Sequence, residues 1–413
     1  MKFYSTVKPY IFITLTGLFL LLEMGLQVSV SVITPELMHD LHISAVGIGF
    51  ISSFFFYSYT VMQIPGGMLF DCISAKKVIS VSIFCCAVGS LLFGISTTIT
   101  VASAGRFLIG LGSSIAWISV LYIASQWFQH KYFAIITGLA MIVASLGAMG
   151  GQMPLVVLND HLGWRNSILL LSLIGFILSV LIFIFLEDKT IKKKFTVHEF
   201  NVLKNNFLKI LNKKQTWAIG VFAFFIWAPI TAFASLWGVP FLKTAYQLNH
   251  ETSAFACSVI WIGVAIGSPL LGWWSEKIQK RILPLVIGSL IGTASSFLVI
   301  YLHLPLFLLY ICLTLTGIAA GGQALSFALI KDSTNNNLMG TAIGVNNMAV
   351  VASGFIFQPL IGIMLNWFLK NSSTDTIIYS TTDYRYALFI IPLAFLISFL
   401  VSISFIKESY NKL

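Results

Sequence analysis

Apolar stretches of about twenty residues or more, parted by short polar turns, run the length of the chain. A membrane-crossing helix needs about 20 mostly apolar residues. Twelve segments meet that length, at roughly 10–34, 45–70, 77–97, 99–128, 132–158, 165–186, 216–242, 251–274, 282–302, 304–330, 337–369 and 384–406. The division between the third and fourth rests on one polar turn, Ser96-Thr97-Thr98, and the segment after Asn337 is long enough to tilt. The first stretch exceeds the 7–15 residues of a cleaved leader's apolar core. It also contains Glu23 and lacks a small-x-small cleavage site, so it reads as the first membrane helix. The pattern predicts an all-α membrane protein with twelve transmembrane helices.

The helix-shaping residues recur at a spacing of 205. Pro35 matches Pro240, Ser53 matches Ser258, Gly67 matches Gly272, Gly112 matches Gly317 and Pro154 matches Pro359; Asp71 matches Glu276 and Lys76 matches Arg281. One offset serves all seven pairs. The chain therefore reads as two pseudo-symmetric six-helix halves, residues 1–186 and 216–413, joined by a hydrophilic linker at 187–215. Repeated halves that create a binding site between them are a common plan of secondary transporters.

Composition supports the membrane assignment. Hydrophobic residues make up 58% of the chain and charged residues 9%, against about 25% charged in a soluble domain. The net charge of +10 does not point to nucleic acid, because 19 of the 24 Lys and Arg fall on one side of the predicted membrane, among them Lys2, Lys76, Lys77, Lys277, Lys280 and Arg281. The positive-inside rule places that side, with both termini, in the cytoplasm of a cell whose inner or plasma membrane holds the protein. The linker carries eight lysines against three acids. Its apolar Phe200, Leu203, Phe207, Leu208 and Leu211 recur at helical spacing, which suits an amphipathic helix on an anionic leaflet. Five cysteines lie in or beside apolar spans without a metal-ligand pattern, so no metal and no cofactor is expected. Asn371-Ser372-Ser373 fits a glycosylation acceptor.

The turn Gly67-Met-Leu-Phe-Asp71-Cys-Ile-Ser-Ala-Lys76-Lys77 resembles the signature loop of the major facilitator superfamily, Gly-x-x-x-Asp-(Arg/Lys)-x-Gly-x-(Arg/Lys)-(Arg/Lys). The second half repeats it as Gly272-Trp-Trp-Ser-Glu276-Lys277-Ile-Gln-Lys-Arg281. Arg106-x-x-x-Gly110-x-Gly112 and Gly163-Trp164-Arg165 are similar to two further family patterns. Cys72, Ser74 and Gln279 depart from the loop pattern. The resemblance implies the twelve-helix fold of that family and a cytoplasmic gate formed by Gly67, Asp71, Lys76, Lys77, Gly272, Glu276, Lys277 and Arg281. In such a gate glycine permits close helix approach and the charges make and break contacts as the halves rock. The fifth span, Gly138-x8-Gly147-x3-Gly151, begins like a glycine motif of the family's exporters. It then departs at Gln152 and at Leu155-Val156, so close helix packing with a bend at Pro154 is the simpler reading.

Intramembrane charges mark function, because an ionised side chain at mid-bilayer costs about 2.5–3.5 kcal/mol on insertion scales. Only Glu23 and Arg106 lie deep in spans. If the first and fourth spans line one cavity, as the resemblance implies, the two face the same space. Burial and a neighbouring guanidinium would then act on the carboxyl's proton in opposite senses, as proton coupling requires. Polar and aromatic residues that complete a candidate cavity are Gln27, Tyr57, Trp117, Tyr122 and Gln126 in the first half. Trp227, Trp237, Trp261, Gln323, Asn346, Asn347 and Gln358 serve in the second. Trp117 and Gln323 occupy nearly equivalent positions.

The sequence thus predicts a monomeric carrier, not an enzyme, that takes up a small polar metabolite, an amino acid or an organic anion, with protons as coupling ion. Proton-driven efflux of a drug, siderophore or metabolite is the alternative direction, and a non-transporting receptor the alternative class. An intramembrane hydrolase lacks support: Gly112-Ser113-Ser114 has no base, since no histidine lies deep within a span and His303 lies at a boundary.

Overall fold

The computed structural model describes residues 2–129, 132–188, 205–334, 338–369 and 379–410. Its regular elements are helices throughout these residues. Eleven are long and apolar enough to cross a membrane, and the pair Ala45–Val61 and Gln63–Phe70, bent by 49°, makes a twelfth. All twelve expected spans are therefore present. Most of the linker and the segment 370–378, with its acceptor Asn371, lie outside the described residues. So do Phe200 and Leu203, while residues 205–211 are helical with Ile210 buried and Leu208 exposed.

Several spans are not continuous α-helix. The first runs as Lys2–Val28 and Val30–Asp40, the fourth as Ile99–Ser113 and Ala116–Trp127, and the fifth as Phe133–Gly150 and Met153–Leu162. The tenth runs as Leu306–Ala320 and Gln323–Asp332, and the seventh carries a buried π-helical segment, Pro229–Trp237, between two α pieces. Such irregular backbone in spans collects at functional positions.

The chain forms two compact units. Unit 1 is Met1–Ser29 with Phe54–Phe195; unit 2 is Val30–Ser53 with Thr196–Leu413. Val30–Ser53 joins unit 2 through backbone contact. A Cβ on Gly49 would sit 2.7 Å from the Gln358 carbonyl oxygen, and one on Gly362 2.5 Å from that of Ala45. The Ala45 N–H, at the start of the second span, donates to the Tyr379 hydroxyl at 3.0 Å.

The repeat is visible in the packing, with a correction to its register. In unit 1 a side chain on Gly110 would overlap the Phe55 carbonyl; in unit 2 one on Gly317 would overlap that of Ile260. Phe55 and Ile260 keep the 205 spacing, but the partner of Gly317 is Gly110, not Gly112. Helix boundaries agree: Ala75 answers Ile282, Ile99 answers Leu306 and Ala116 answers Gln323, each at an offset of 207. Two residues are gained in unit 2 between the eighth and ninth spans. Left-handed Gln279 (φ 55°) ends the eighth span there and makes the longer turn possible.

Candidate functional site

Unit 1 buries both predicted intramembrane charges. Arg106 in the fourth span is fully buried. Its guanidinium donates to the carbonyl oxygens of Leu26 at 2.7 Å and Gln27 at 3.2 Å. It also lies over the rings of Phe55 (5.0 Å) and Phe93 (5.9 Å). Leu26 and Gln27 sit where the first span breaks at Ser29. The last four carbonyls of a helix lack intrahelical partners, and a guanidinium is well suited to take two of them. Arg106 thus splints the break.

Glu23 lies one turn earlier in the first span and is 2% exposed. Among the described residues no ion pair joins it to Arg106, and its Oε1 has no hydrogen-bond partner. The aromatic hydroxyl of Tyr59 and the thiol of Cys86 lie within electrostatic reach of it. The structure therefore brings the two charges onto one turn of the first span, with Arg106 bonded to that turn's backbone instead of to the acid. Gln27 is buried, Trp117 and Gln126 are half-buried and Tyr57 is partly exposed against Phe54. Tyr122 packs on Phe70 with ring centroids 4.7 Å apart.

In unit 2 the predicted amides organise the seventh, tenth and eleventh spans. Gln358 is fully buried. Its side-chain nitrogen donates to the Thr231 carbonyl of the π segment at 2.7 Å, and its own carbonyl accepts from the Trp237 indole at 3.0 Å. Thr231 and Ser353 share a hydroxyl bond of 2.8 Å. The π segment frees carbonyls that an α-helix would satisfy, and Gln358 takes one of them. Asn346 donates to the Ser326 hydroxyl at 2.8 Å, and Ser326 donates to the Gln323 carbonyl, which ties the eleventh span to the tenth. The Asn346 Oδ1, the Gln358 Oε1 and the Trp261 indole nitrogen are buried without a partner among the described residues. Asn347 and Trp227 are half-buried.

The two signature turns differ from expectation. A Cβ on Gly67 or on Gly272 would meet nothing within 4 Å, so neither glycine serves close helix approach. Lys76 and Arg281 also do not correspond. Lys76 sits in the third span's first turn, 4.8 Å from the Phe183 ring centre, and Lys77 is exposed. Arg281 precedes the ninth span and turns back, donating to Glu276 at 2.6 Å, to Asp332 at 2.9 Å and to the Ser275 hydroxyl at 3.1 Å. Burial opposes its charge, but the bonds to Asp332 and Glu276 outweigh it and hold the guanidinium above its usual pKa. Tyr410 donates to the other oxygen of Glu276 at 2.9 Å and lies against the Arg281 guanidinium. Lys277 lies over Trp273. The Asp71 side chain lies outside what is described.

Sequence reasoning missed the acids that anchor these turns. Asp188, three residues past the sixth span, accepts from the Ser74 hydroxyl and from the Ala75 N–H at 2.7 Å. Glu408, four residues past the twelfth span's Ser404, accepts from the N–H groups of Arg281 and Ile282 at 2.9 and 3.1 Å. Each caps the orphan N–H groups that open the third helix of its own half. The available signal was a carboxylate in the same place after each half's last span.

The Major Facilitator Superfamily model matches residues 15–359 and 238–412. The chain is 24% identical over 382 residues to the probable galactarate/D-glucarate transporter GarP of Escherichia coli, covering 82% of this chain and 84% of that one. It is 26% identical over 369 residues to the hexuronate transporter of Bacillus subtilis, covering 82% and 83%. Among solved structures, a bacterial homologue of the human lysosomal transporter Spinster superposes with a TM-score of 0.77 at 14% identity, covering 96% of this chain and 98% of that one. Twelve spans in two repeated halves, a duplicated signature turn and a family match along almost the whole sequence have one reading. The chain belongs to the major facilitator superfamily and is a membrane transporter, not an enzyme.

Proposed function

We propose that the protein takes up a small organic anion, a hydroxylated carboxylate of the sugar-acid kind, by alternating access coupled to protons. The proposal places it as a monomer in a bacterial inner or plasma membrane with both termini cytoplasmic. The observation that carries it is the fully buried Arg106 guanidinium on the turn that also holds Glu23. The names of the GarP and hexuronate relatives, both sugar-acid transporters, support the same class.

The chemistry follows from competition. A carboxylate is a stronger acceptor for guanidinium than a peptide carbonyl, because both partners are charged and the bond can be bidentate. An anion that recruits Arg106 takes it from Leu26 and Gln27. That loosens the break in the first span three to four residues from Glu23, and the environment of the Glu23 proton changes with it. Anion binding and proton movement are thereby linked through one helical turn.

Uptake of radiolabelled glucarate and galacturonate into proteoliposomes tests the reading. An acidic exterior should drive accumulation, and a protonophore should collapse it. Glu23→Gln should abolish accumulation and spare counterflow exchange. Arg106→Lys should lower uptake at least tenfold, since a point charge does not replace a planar fork. Wild-type accumulation in Glu23→Gln removes that residue from coupling. Faster loss of anion from loaded vesicles under the same gradient reverses the direction.

A further inference from the structure

The fifth span meets the first through Gly147 and Gly151, where any side chain would overlap the carbonyls of Leu21 and Gly25. Gly150 is different: it is exposed, and a Cβ there meets nothing within 4 Å. It opens on a cavity of about 420 Å³ walled by the first, fifth and sixth spans, with Leu22, Gly150, Pro154, Ile174 and Leu178 in the wall. Every lining residue lies inside the apolar spans Val7–Val28, Ile135–Leu162 and Trp164–Phe185. The rim is apolar and open, with Leu18 46% and Ile177 52% exposed. The evident polar feature is backbone: Pro154 has no N–H, so the Gly150 carbonyl lacks its usual helical donor.

We propose that this groove is a lipid site that seats one acyl chain of a bilayer phospholipid between the first, fifth and sixth spans. The wall chooses the occupant. A buried water needs two to four polar partners, and a wall of leucine, isoleucine, glycine and proline does not supply them. A sugar acid fails for the same reason, so the groove is distinct from the proposed anion site. The chain of a bilayer lipid needs no polar partner, and it is the solvent at the exposed rim of these spans. The volume equals roughly fourteen waters at about 30 Å³ each, room for a chain of comparable methylene count. The seated chain braces the first span at Leu22 and Gly25, the neighbours of Glu23 in that turn.

Native mass spectrometry of detergent-purified protein, with lipid extraction, counts the lipid directly. Wild type should retain one tightly held phospholipid. Gly150→Phe fills the groove and should lower the lipid-bound fraction at least fivefold. Gly138→Phe, at a position of the same span that is also open but outside the groove, should leave it unchanged. Should Gly150→Phe fail to fold, Leu178→Trp narrows the groove from the sixth span and must give the same loss. Equal occupancy in wild type and both Phe variants overturns the proposal. So does loss of a soluble lipophilic additive with phospholipid retained, which would assign the groove another occupant.

Discussion

At the turn between the second and third spans, Lys76 lies over Phe183, and Asp188 holds the start of the third helix. At the turn between the eighth and ninth, Glu408 holds the start of the ninth helix in the same way. Here Arg281 adds a half-buried network with Glu276, Asp332, Ser275 and Tyr410. The two turns share a sequence pattern and an N-terminal cap; among the described residues the charged network is seen at the second, the Asp71 side chain of the first lying outside them. Two extra residues in the second turn make the difference: they carry the basic side chain from the first turn of the helix to the residue before it, from where it reaches back. The cap belongs to the fold and recurs in both halves.

The comparison breaks most severely at the crossings the halves share. Gly110→Val and Gly317→Val each drive a side chain into a backbone carbonyl and should each cost about 3 kcal/mol, the upper end of overpacking. Gly67→Val and Gly272→Val should leave the melting midpoint in detergent nearly unchanged. A loss at Gly67 as large as that at Gly110 would restore the signature glycines to a packing role. Next in size, Arg281→Ala should cost about 2 kcal/mol, the loss of charged hydrogen bonds, with Lys76→Ala below about 1 kcal/mol. Adding Asp332→Leu to Arg281→Met should recover part of the loss, since the unpaired acid is then gone; additive losses would show that the pair is not coupled. Smallest are the caps, where Asp188→Asn and Glu408→Gln should each cost about 1 kcal/mol or less. Thermal shifts of similar size would confirm the caps as the symmetric element, and a shift at only one would not.

Much of the fold was legible because spans announce themselves by length and apolarity. The doubled plan and the deep placement of Glu23 and Arg106 followed from that pattern; the 49° bend in the second span did not. The partner of Arg106 did not, because its acceptors are backbone carbonyls, which every residue has and no sequence marks. The 205 offset misled for a related reason. Gly110 and Gly112 both sit at helix crossings, Gly112 against the third span at Ser82, and only the shape of the crossing tells which one Gly317 answers. Asp188 and Glu408 were hidden because a cap is defined by where a chain end folds back. Gln358 and Asn346 were named as cavity candidates, but Thr231 and Ser353 were not, since small hydroxyls in spans more often bond their own helix.

The π segment of the seventh span bears on how such chains change length. A π turn holds an extra residue without interrupting the helix, so Pro229–Trp237 is a place where a membrane span absorbs an insertion that elsewhere needs a loop. Removing one residue there would restore α geometry and swing everything beyond it by about 100°, the turn of one residue at 3.6 per revolution. Trp237 would then lose Gln358, and Pro240 would face another neighbour. A one-residue deletion within this span would therefore change which side chains look inward while leaving every loop at its present length.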